Sequence, residues 1–270
     1  MIYKLVFIFF FLNFNTFAHD YPQYQAIDGY NCDRASDINL TNQCRQSRKW
    51  TKPYNGILYD GHIHPQHTKN IDKYTEELRD NKYELIVVMD TPNGYKKYLK
   101  GKKKVQKKLK KITTLFNTKV LCGSHVPGLI QKGKFELAQD YLDRTISQIE
   151  TGICIGFGEI GIQHFDKSCG NEEIINTAGR QSELILDKNN EIFLKMYDYA
   201  NKNSLLMDIH YEPARCQESP NTNQSVDYFK DVCRKYPNIK LSLAHTGMIT
   251  SQKLEELITT CPNIYSSIKP

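Results

Sequence analysis

Two features that would point to well-known kinds of protein are missing from this sequence. No two of its eight cysteines form a Cys-x-x-Cys pair, so neither a zinc ribbon nor a thioredoxin-type redox site is supported. Beyond residue 18, no stretch approaches the roughly 18 consecutive apolar residues of a membrane-spanning helix. The composition, with 40% hydrophobic and 24% charged residues, is ordinary for a soluble globular protein.

Acidic residues are absent from the segment that runs from Lys96 to Lys111, which contains ten lysines. The formal net charge of the whole chain is +6, so the remainder is net negative and the excess positive charge is concentrated in this one segment. The few apolar residues of the segment fall at rough helical spacing, which favours the solvated outer face of a helix. The less favoured alternative is a patch for phosphate-rich partners such as nucleic acid or anionic lipid.

The first 18 residues have the pattern of a secretory signal peptide. Lys4 provides a basic start, residues 5–12 form a short apolar run, and Thr16 and Ala18 place small residues at a cleavage site. Cleavage before His19 predicts a secreted or periplasmic protein with no membrane anchor. In such an oxidising compartment, an even number of cysteines predicts disulfides.

The sequence does not determine how most of these cysteines pair. Cys32 and Cys44 are the best local pair, because they lie in a stretch with little else to order it. Closing that loop stabilises by about 3 kcal/mol in the chain-entropy model. Cys154 lies within an apolar run, and we expect it to be a free core thiol.

From residue 56 onward, apolar strand-like runs alternate with amphipathic segments of helical length. The runs are 56–60, 83–90, 119–124, 152–162, 205–210, 239–245 and 263–268. The helical candidates between them are 71–81, 135–151, 190–203, 226–236 and 251–260. Continuous apolar strands separated by helices predict an α/β fold with a parallel sheet.

About seven strands with intervening helices predict most of a (β/α)8 TIM-type barrel, one strand short of a complete one. The alternative is a doubly wound open sheet. The 270 residues divide into a signal peptide (1–18), an N-terminal extension (19–55) and a single barrel domain (56–270).

Five polar residues fall at the carboxyl ends of the predicted strands. His62 and His64 follow the first strand, and alternation along an extended chain puts both on the same side. Glu159, His210 and His245 close the fourth, fifth and sixth strands. Because those ends surround one mouth of a barrel, the five residues are expected to converge there. Imidazole and carboxylate ligands together suit Zn²⁺ or Mn²⁺.

At these residues the sequence resembles the metal-dependent amidohydrolase superfamily, over about residues 55–270. The matching motifs are Asp60-Gly61-His62-Ile63-His64, Gly158-Glu159-Ile160-Gly161, Met207-Asp208-Ile209-His210 and Leu243-Ala244-His245-Thr246-Gly247. The acid at the fourth strand looks most like the TatD-type and related branches. The resemblance implies a hydrolase that uses metal-activated water on an amide, ester, lactone or phosphoester bond of a small-molecule substrate.

The resemblance also implies a role for each of the five residues. His62 and His64 would bind the more buried of one or two divalent ions, usually Zn²⁺ and alternatively Mn²⁺. Glu159 would bridge two ions or bind one, while His210 and His245 would bind the second ion or act on the substrate as catalytic residues. Further candidates for contact with substrate follow the strands: His125, His164, Tyr211, Glu212 and Arg215.

One part of the family pattern is missing, namely the aspartate after the eighth strand that binds metal and takes the proton of the attacking water. Asp90 and Asp208 also lie near strand ends, but their positions assign neither to that role. Two alternatives therefore stay open. One is a TatD-like metal-dependent deoxyribonuclease, and the other is a catalytically inactive barrel or fragment that acts as a binding protein.

Overall fold

A computed structural model describes residues 58–64, 70–80, 83–91, 110–165, 183–213, 222–245 and 249–266. Four sequence predictions lie outside these residues: the signal peptide, the N-terminal extension, the Cys32–Cys44 pair and Arg215. All but the last two residues of the lysine-rich segment lie outside them as well.

Seven parallel strands form one sheet whose neighbours follow the order of the chain. With one short additional strand, β5, the strands are β1 Leu58–Ile63, β2 Tyr83–Val88, β3 Asn117–Gly123, β4 Gly156–His164, β5 Leu184–Ile185, β6 Leu206–Tyr211, β7 Lys240–Leu243 and β8 Ile264–Ser266. The parallel order is β1-β2-β3-β4-β6-β7-β8, and the two-residue β5 pairs antiparallel with β4. A doubly wound sheet reverses its strand order partway, so this sequential order excludes that alternative.

Helices separate consecutive parallel strands, as the sequence predicts. They are α1 Ile71–Asp80, α2 Val126–Gln131, α3 Phe135–Glu150, α4 Glu191–Lys202, α5 Thr222–Lys235 and α6 Ser251–Thr260, and residues 110–115 are also helical. The starts of α4 and α6 are capped by Asn190 and Thr250, whose side chains accept backbone N–H groups of the first turn. Within the described ranges, no helix has both the length and the apolarity needed to cross a bilayer.

The sheet is strongly curled, because side chains from distant strands meet inside it. Three strands separate β1 from β6, which would place them about 19 Å apart in a flat sheet. Nevertheless, His62 Nδ1 at the end of β1 lies 3.2 Å from Asp208 Oδ1 on β6. The rings of His62, near the end of β1, and His245, just after β7, have centroids 5.1 Å apart. The sheet is therefore part of a barrel, with the carboxyl ends of its strands gathered around one mouth.

The outer face of the sheet packs on the helices and forms the main core. On β6, for example, Met207, Ile209 and Tyr211 are fully buried members of this core. The ring of Tyr211 stacks on Tyr228 of α5 at a centroid distance of 5.3 Å. The alternate residues of β6 face the inside of the curl, where Asp208 meets the end of β1.

Two glycines of β4 allow neighbouring strands to approach closely. A Cβ atom on Gly156 would collide with the backbone carbonyl of Leu206, its partner on β6. A Cβ on Gly158 would lie 2.8 Å from Leu121 and 3.0 Å from the Cβ of Asp208, tighter than real Cβ contacts allow. The Gly-x-Gly spacing at the start of β4 is therefore a packing requirement of the curled sheet.

Two disulfides join neighbouring elements of the described structure. Cys122 of β3 pairs with Cys154 just before β4, with Cα atoms 6.1 Å apart. Cys233 of α5 pairs with Cys261 after α6, with Cα atoms 5.9 Å apart. The prediction of a free thiol at Cys154 was wrong. The apolar run that contains Cys154 does not reveal that the residues just before β4 lie beside the end of β3.

Candidate metal centre

The carboxylate of Glu159 lies at the centre of four imidazole rings. Its Oε2 atom is 3.2 Å from His64 Nε2, and its Oε1 atom is 2.6 Å from His210 Nδ1. His62 Nε2 and His245 Nε2 lie 3.9 and 4.0 Å from Oε1. The five residues that sequence position selected are thus brought together at the mouth of the barrel, although they come from four different strands.

An irregularity in β4 turns Glu159 towards the inside. The ring of Phe157, two residues earlier, packs outward against Tyr199 of α4, so simple alternation would place Glu159 outside as well. The pairing register with β6 shifts between Phe157 and Ile160, which marks a β-bulge at this point. Such a bulge inserts one extra residue and re-aims the side chains that follow. Glu159 can therefore reach the histidines.

His62 and His64 reach the site from the end of β1. The Nε2 atoms of the two rings are 3.0 Å apart, so both point the same way, as alternation predicts. Ile63 between them is buried in a separate apolar cluster with residues of β2. Unlike these two, His245 adopts a left-handed backbone conformation with φ of +54°, which is uncommon for a residue with a side chain.

The protonation of His64 can be inferred from its hydrogen-bonding partner. Its Nδ1 atom lies 3.2 Å from the carbonyl oxygen of Met89, which can only accept, so Nδ1 carries the proton. In a neutral ring the lone pair then lies on Nε2, directed at Glu159 Oε2 and His62 Nε2. Three electron-rich atoms at such distances are stabilised by a proton on one of them or by a metal ion bound among them.

Two buried carboxylates, one on β6 and one just after it, contact the ring nitrogens of His62 and His210 that point away from Glu159. Asp208 Oδ1 lies 3.2 Å from His62 Nδ1, and its Oδ2 accepts a hydrogen bond from the Ser242 hydroxyl at 2.8 Å. Glu212 Oε1 lies 2.9 Å from His210 Nε2. In metal sites, a histidine ligand commonly donates its second N–H to such a carboxylate, which fixes the ring and its tautomer.

The charges at the centre are strongly coupled when no cation is bound. Burial alone would raise the pKa of Glu159, but His210, His64 and His62 lower it well below its ordinary value of 4.5. Burial alone would lower the pKa of His210, but Glu159 and Glu212 raise it to about 9. In the cation-free site, these contacts favour the protonated ring of His210 and the ionised carboxylate of Glu159.

The described residues contain three groups whose ligand atoms are close enough to share an ion. They are His62, His64 and Glu159; Glu159, His210 and His245; and His164, His210 and Glu212. Two atoms bound to one tetrahedral Zn²⁺ are about 3.3 Å apart, given bonds of roughly 2.0–2.2 Å. The 3.0 and 3.2 Å separations of His64 Nε2 from His62 and Glu159 are close to this value. The first group therefore fits a divalent ion with little movement.

Sequence position alone assigned Asp208 no role and offered Glu212 only as a candidate for substrate contact. Both are fully buried, and both lie two residues from His210, on the face of β6 that carries it. The alternation that paired His62 with His64 would also have selected the Asp-x-His-x-Glu pattern at 208–212. Only the folded chain shows which imidazole each carboxylate contacts.

The further candidates for substrate contact differ in their surroundings. Tyr211, a candidate for substrate contact, is buried and packs outward against Tyr228 of α5. His125 is fully buried, with Nε2 at 3.0 Å from Asp90 Oδ2. His164 Nε2 lies 3.7 Å from Glu212 Oε1, beside the cluster.

Comparison with known proteins finds similarity among solved structures. No family model matches the sequence, and no curated protein matches it. Among solved structures, one described as an amidohydrolase II is similar to this chain with 12% sequence identity and a TM-score of 0.43, covering 78% of each chain.

Proposed function

We propose that this protein is a metal-dependent hydrolase of the amidohydrolase type, acting with water on an amide, ester, lactone or phosphoester bond. The observation that supports it is the meeting of four imidazoles around the buried carboxylate of Glu159, at the carboxyl ends of parallel strands. In barrels of this kind, that face carries the active site.

Two groups would hold one or two divalent ions, Zn²⁺ by first preference and Mn²⁺ as the alternative. His62, His64 and Glu159 would form one, and Glu159, His210 and His245 the other. Glu159 faces His64 through Oε2 and His210 through Oε1, so its two oxygens are presented to different groups. Ions bound there would supply activated water and polarise the bond to be cleaved.

The residues themselves would divide the remaining tasks by their position. Glu159 and His210 are nearly fully buried, so their part is to hold charge in place and to exclude bulk water. The side chains of His64 and His245 are 18% and 20% exposed, the largest values among the five. His245, which follows β7 at the mouth, is therefore the residue we expect to contact and orient the substrate.

We also propose export to an oxidising compartment, as the N-terminal sequence predicts. The two disulfides within the described residues support it, because such bonds persist mainly in secreted or periplasmic proteins. Detecting both bonds by mass spectrometry in protein isolated without added oxidant would support this proposal. Finding only free thiols in such protein would contradict it.

The first experiment is elemental analysis of the mature protein purified without added metal, beside a His62→Ala/His64→Ala double variant. One or two equivalents of zinc or manganese per chain, lost in the variant, would support the metal centre. A folded, monodisperse protein that binds no divalent ion would overturn it.

A substrate panel then distinguishes the hydrolase from its two rivals. Metal-dependent turnover of esters, lactones or amides supports the proposal, whereas cleavage of DNA alone favours the deoxyribonuclease. Metal binding without turnover of any substrate favours a binding protein. The nucleic-acid alternative is motivated by the lysine-rich segment, which lies almost wholly outside the described residues. The geometry of the described residues at the mouth does not favour a deoxyribonuclease over other hydrolases.

A further inference from the structure

His210 belongs to two of the three groups that could share an ion, and it takes part in each through a different ring nitrogen. Its Nδ1 atom faces Glu159, in the group that includes His245. Its Nε2 atom faces Glu212, in the group that includes His164. A neutral imidazole offers one lone pair, so His210 can serve only one of these groups as a ligand.

The surroundings of Glu212 distinguish the two possibilities. Its Oε2 atom accepts the backbone N–H of Phe165 at 2.7 Å, and Oε1 lies 2.9 Å from His210 Nε2. Gln163 binds the backbone of Glu212 twice, accepting its N–H at 2.9 Å and donating its side-chain amide to the carbonyl at 2.7 Å. The residue is fully buried. Its carboxylate is thus held in place, with one oxygen on a backbone N–H and the other against a ring nitrogen of His210.

We propose that Glu212 is a positioning residue that accepts the Nε2–H of His210 and so keeps the Nδ1 lone pair directed at the ion beside Glu159. This inference rests on the proposed metal centre. The group of His164, His210 and Glu212 then binds no ion of its own, and Glu212 only orients the His210 ring. In the neutral ring, a proton held on Nε2 by Glu212 leaves the lone pair on Nδ1, the nitrogen that faces Glu159.

Because the backbone N–H of Phe165 is a fixed donor, an amide of the same shape could not replace the carboxylate of Glu212 in this role. In a Glu212→Gln variant, the amide oxygen would be drawn to that fixed donor. The amide NH2 would then face His210 Nε2, which would have to accept. His210 would be driven to the tautomer with its proton on Nδ1, and Nδ1 could no longer bind a metal.

The test uses full-length mature protein labelled with ¹⁵N-histidine and loaded with ¹¹³Cd²⁺ as the probe ion. One-bond coupling between cadmium and nitrogen identifies the bound nitrogen of each ring, and a His210→Asn variant assigns the His210 signals. We expect coupling to Nδ1 of His210 in the wild type. In Glu212→Gln we expect that coupling to disappear and the cadmium affinity to fall by about 10–100-fold.

A His164→Gln variant is the matched control, because it removes the third member of the group and leaves the His210–Glu212 contact in place. It should keep both the Nδ1 coupling and the cadmium affinity of the wild type. Coupling to Nε2 of His210, or to His164, would overturn the inference while leaving the metal centre intact. So would unchanged coupling and affinity in Glu212→Gln. A wild type that binds no cadmium would overturn both proposals.

The wild-type spectrum alone decides which nitrogen is bound, so the inference stays testable even if the Glu212→Gln chain does not fold. Near-ultraviolet circular dichroism of each variant identifies that case. Cadmium coupling to His62 and His64 with none to His210 would also reject the inference, since Glu212 would then position no ligand.

Discussion

Asp208 Oδ1 and His62 Nδ1 lie 3.2 Å apart, although three strands separate the strands that carry them. The contact crosses the inside of the curled sheet and ties the end of β1 to β6. It places a fully buried carboxylate behind a candidate metal ligand, as Glu212 is placed behind His210. The same strand therefore supports two imidazoles that belong to different ion-binding groups.

An Asp208→Asn variant is expected to bind divalent metal about 10–100-fold more weakly than the wild type. Its amide would keep the shape but lose the charge that favours a proton on His62 Nδ1. Isothermal titration with Zn²⁺ measures the effect. Ser242→Ala, which removes only the hydroxyl bound to Asp208 Oδ2, should have a much smaller effect. Equal losses in both variants would show that general packing, and not the carboxylate, is responsible.

The cation-free protein is expected to lose stability as the pH rises from 6.5 to about 9. The folded-state pKa of His210 is raised from 6.5 to about 9, so its contribution is complete below pH 6.5 and disappears as the pH passes through the raised value. The lowered pKa of Glu159 acts at the other end, because its contribution is present above pH 4.5 and is lost at lower pH. Urea unfolding in the presence of a chelator, repeated from below pH 4.5 to above pH 9, measures both slopes.

A His210→Asn variant is the control for the alkaline slope, because it removes the titrating ring. Its free energy of unfolding should vary less between pH 6.5 and 9 than that of the wild type. A wild-type stability that is constant or increases over this interval would contradict the assignment of an imidazolium between Glu159 and Glu212.

Replacing Gly156 by alanine is expected to destabilise the fold by about 3 kcal/mol. The new Cβ would meet the carbonyl of Leu206, so β4 and β6 would have to separate where they pair. Gly133→Ala is the comparison, because that site has a φ of +66° but open space around it. Backbone strain alone should cost about 1 kcal/mol there. Similar losses of unfolding free energy at both sites would argue against the close strand approach.

Removing the Cys233–Cys261 disulfide with a double serine variant is expected to lower the free energy of unfolding by about 3.5 kcal/mol. The bond closes a loop with a sequence separation of 28 and joins α5 to the end of α6. Denaturant unfolding measures the change, and a reducing agent should bring the wild type down at least as far. Identical stability of oxidised wild type and variant would mean that the bond does not form.

Much of the fold could be predicted because its signals are local. Each apolar run and each amphipathic segment is readable within a window of a few residues, and α6 begins and ends at the predicted residues. The His62-x-His64 spacing fixed the common direction of its two rings for the same reason, since alternation is a property of any extended chain.

The orientation of Glu159 could not be predicted in the same way. Its position at a strand end was visible in the sequence, but alternation from Phe157 would have turned it outward. A bulge reverses that outcome, and bulges depend on how a strand pairs with its neighbours. The pairing of Cys122 with Cys154 was hidden for a similar reason, because it depends on which strand ends lie side by side.

By itself, the sequence determined the parallel α/β pattern and the set of five residues that its strand ends carry, because periodicity and position along a repeated unit are written in the chain. The tertiary structure alone decided which carboxylate serves which imidazole. That choice requires the sheet to curl until Asp208 meets His62, and until His210 lies between Glu159 and Glu212. Contacts across a curved sheet arise from closure of the whole strand array, which no local stretch of sequence encodes.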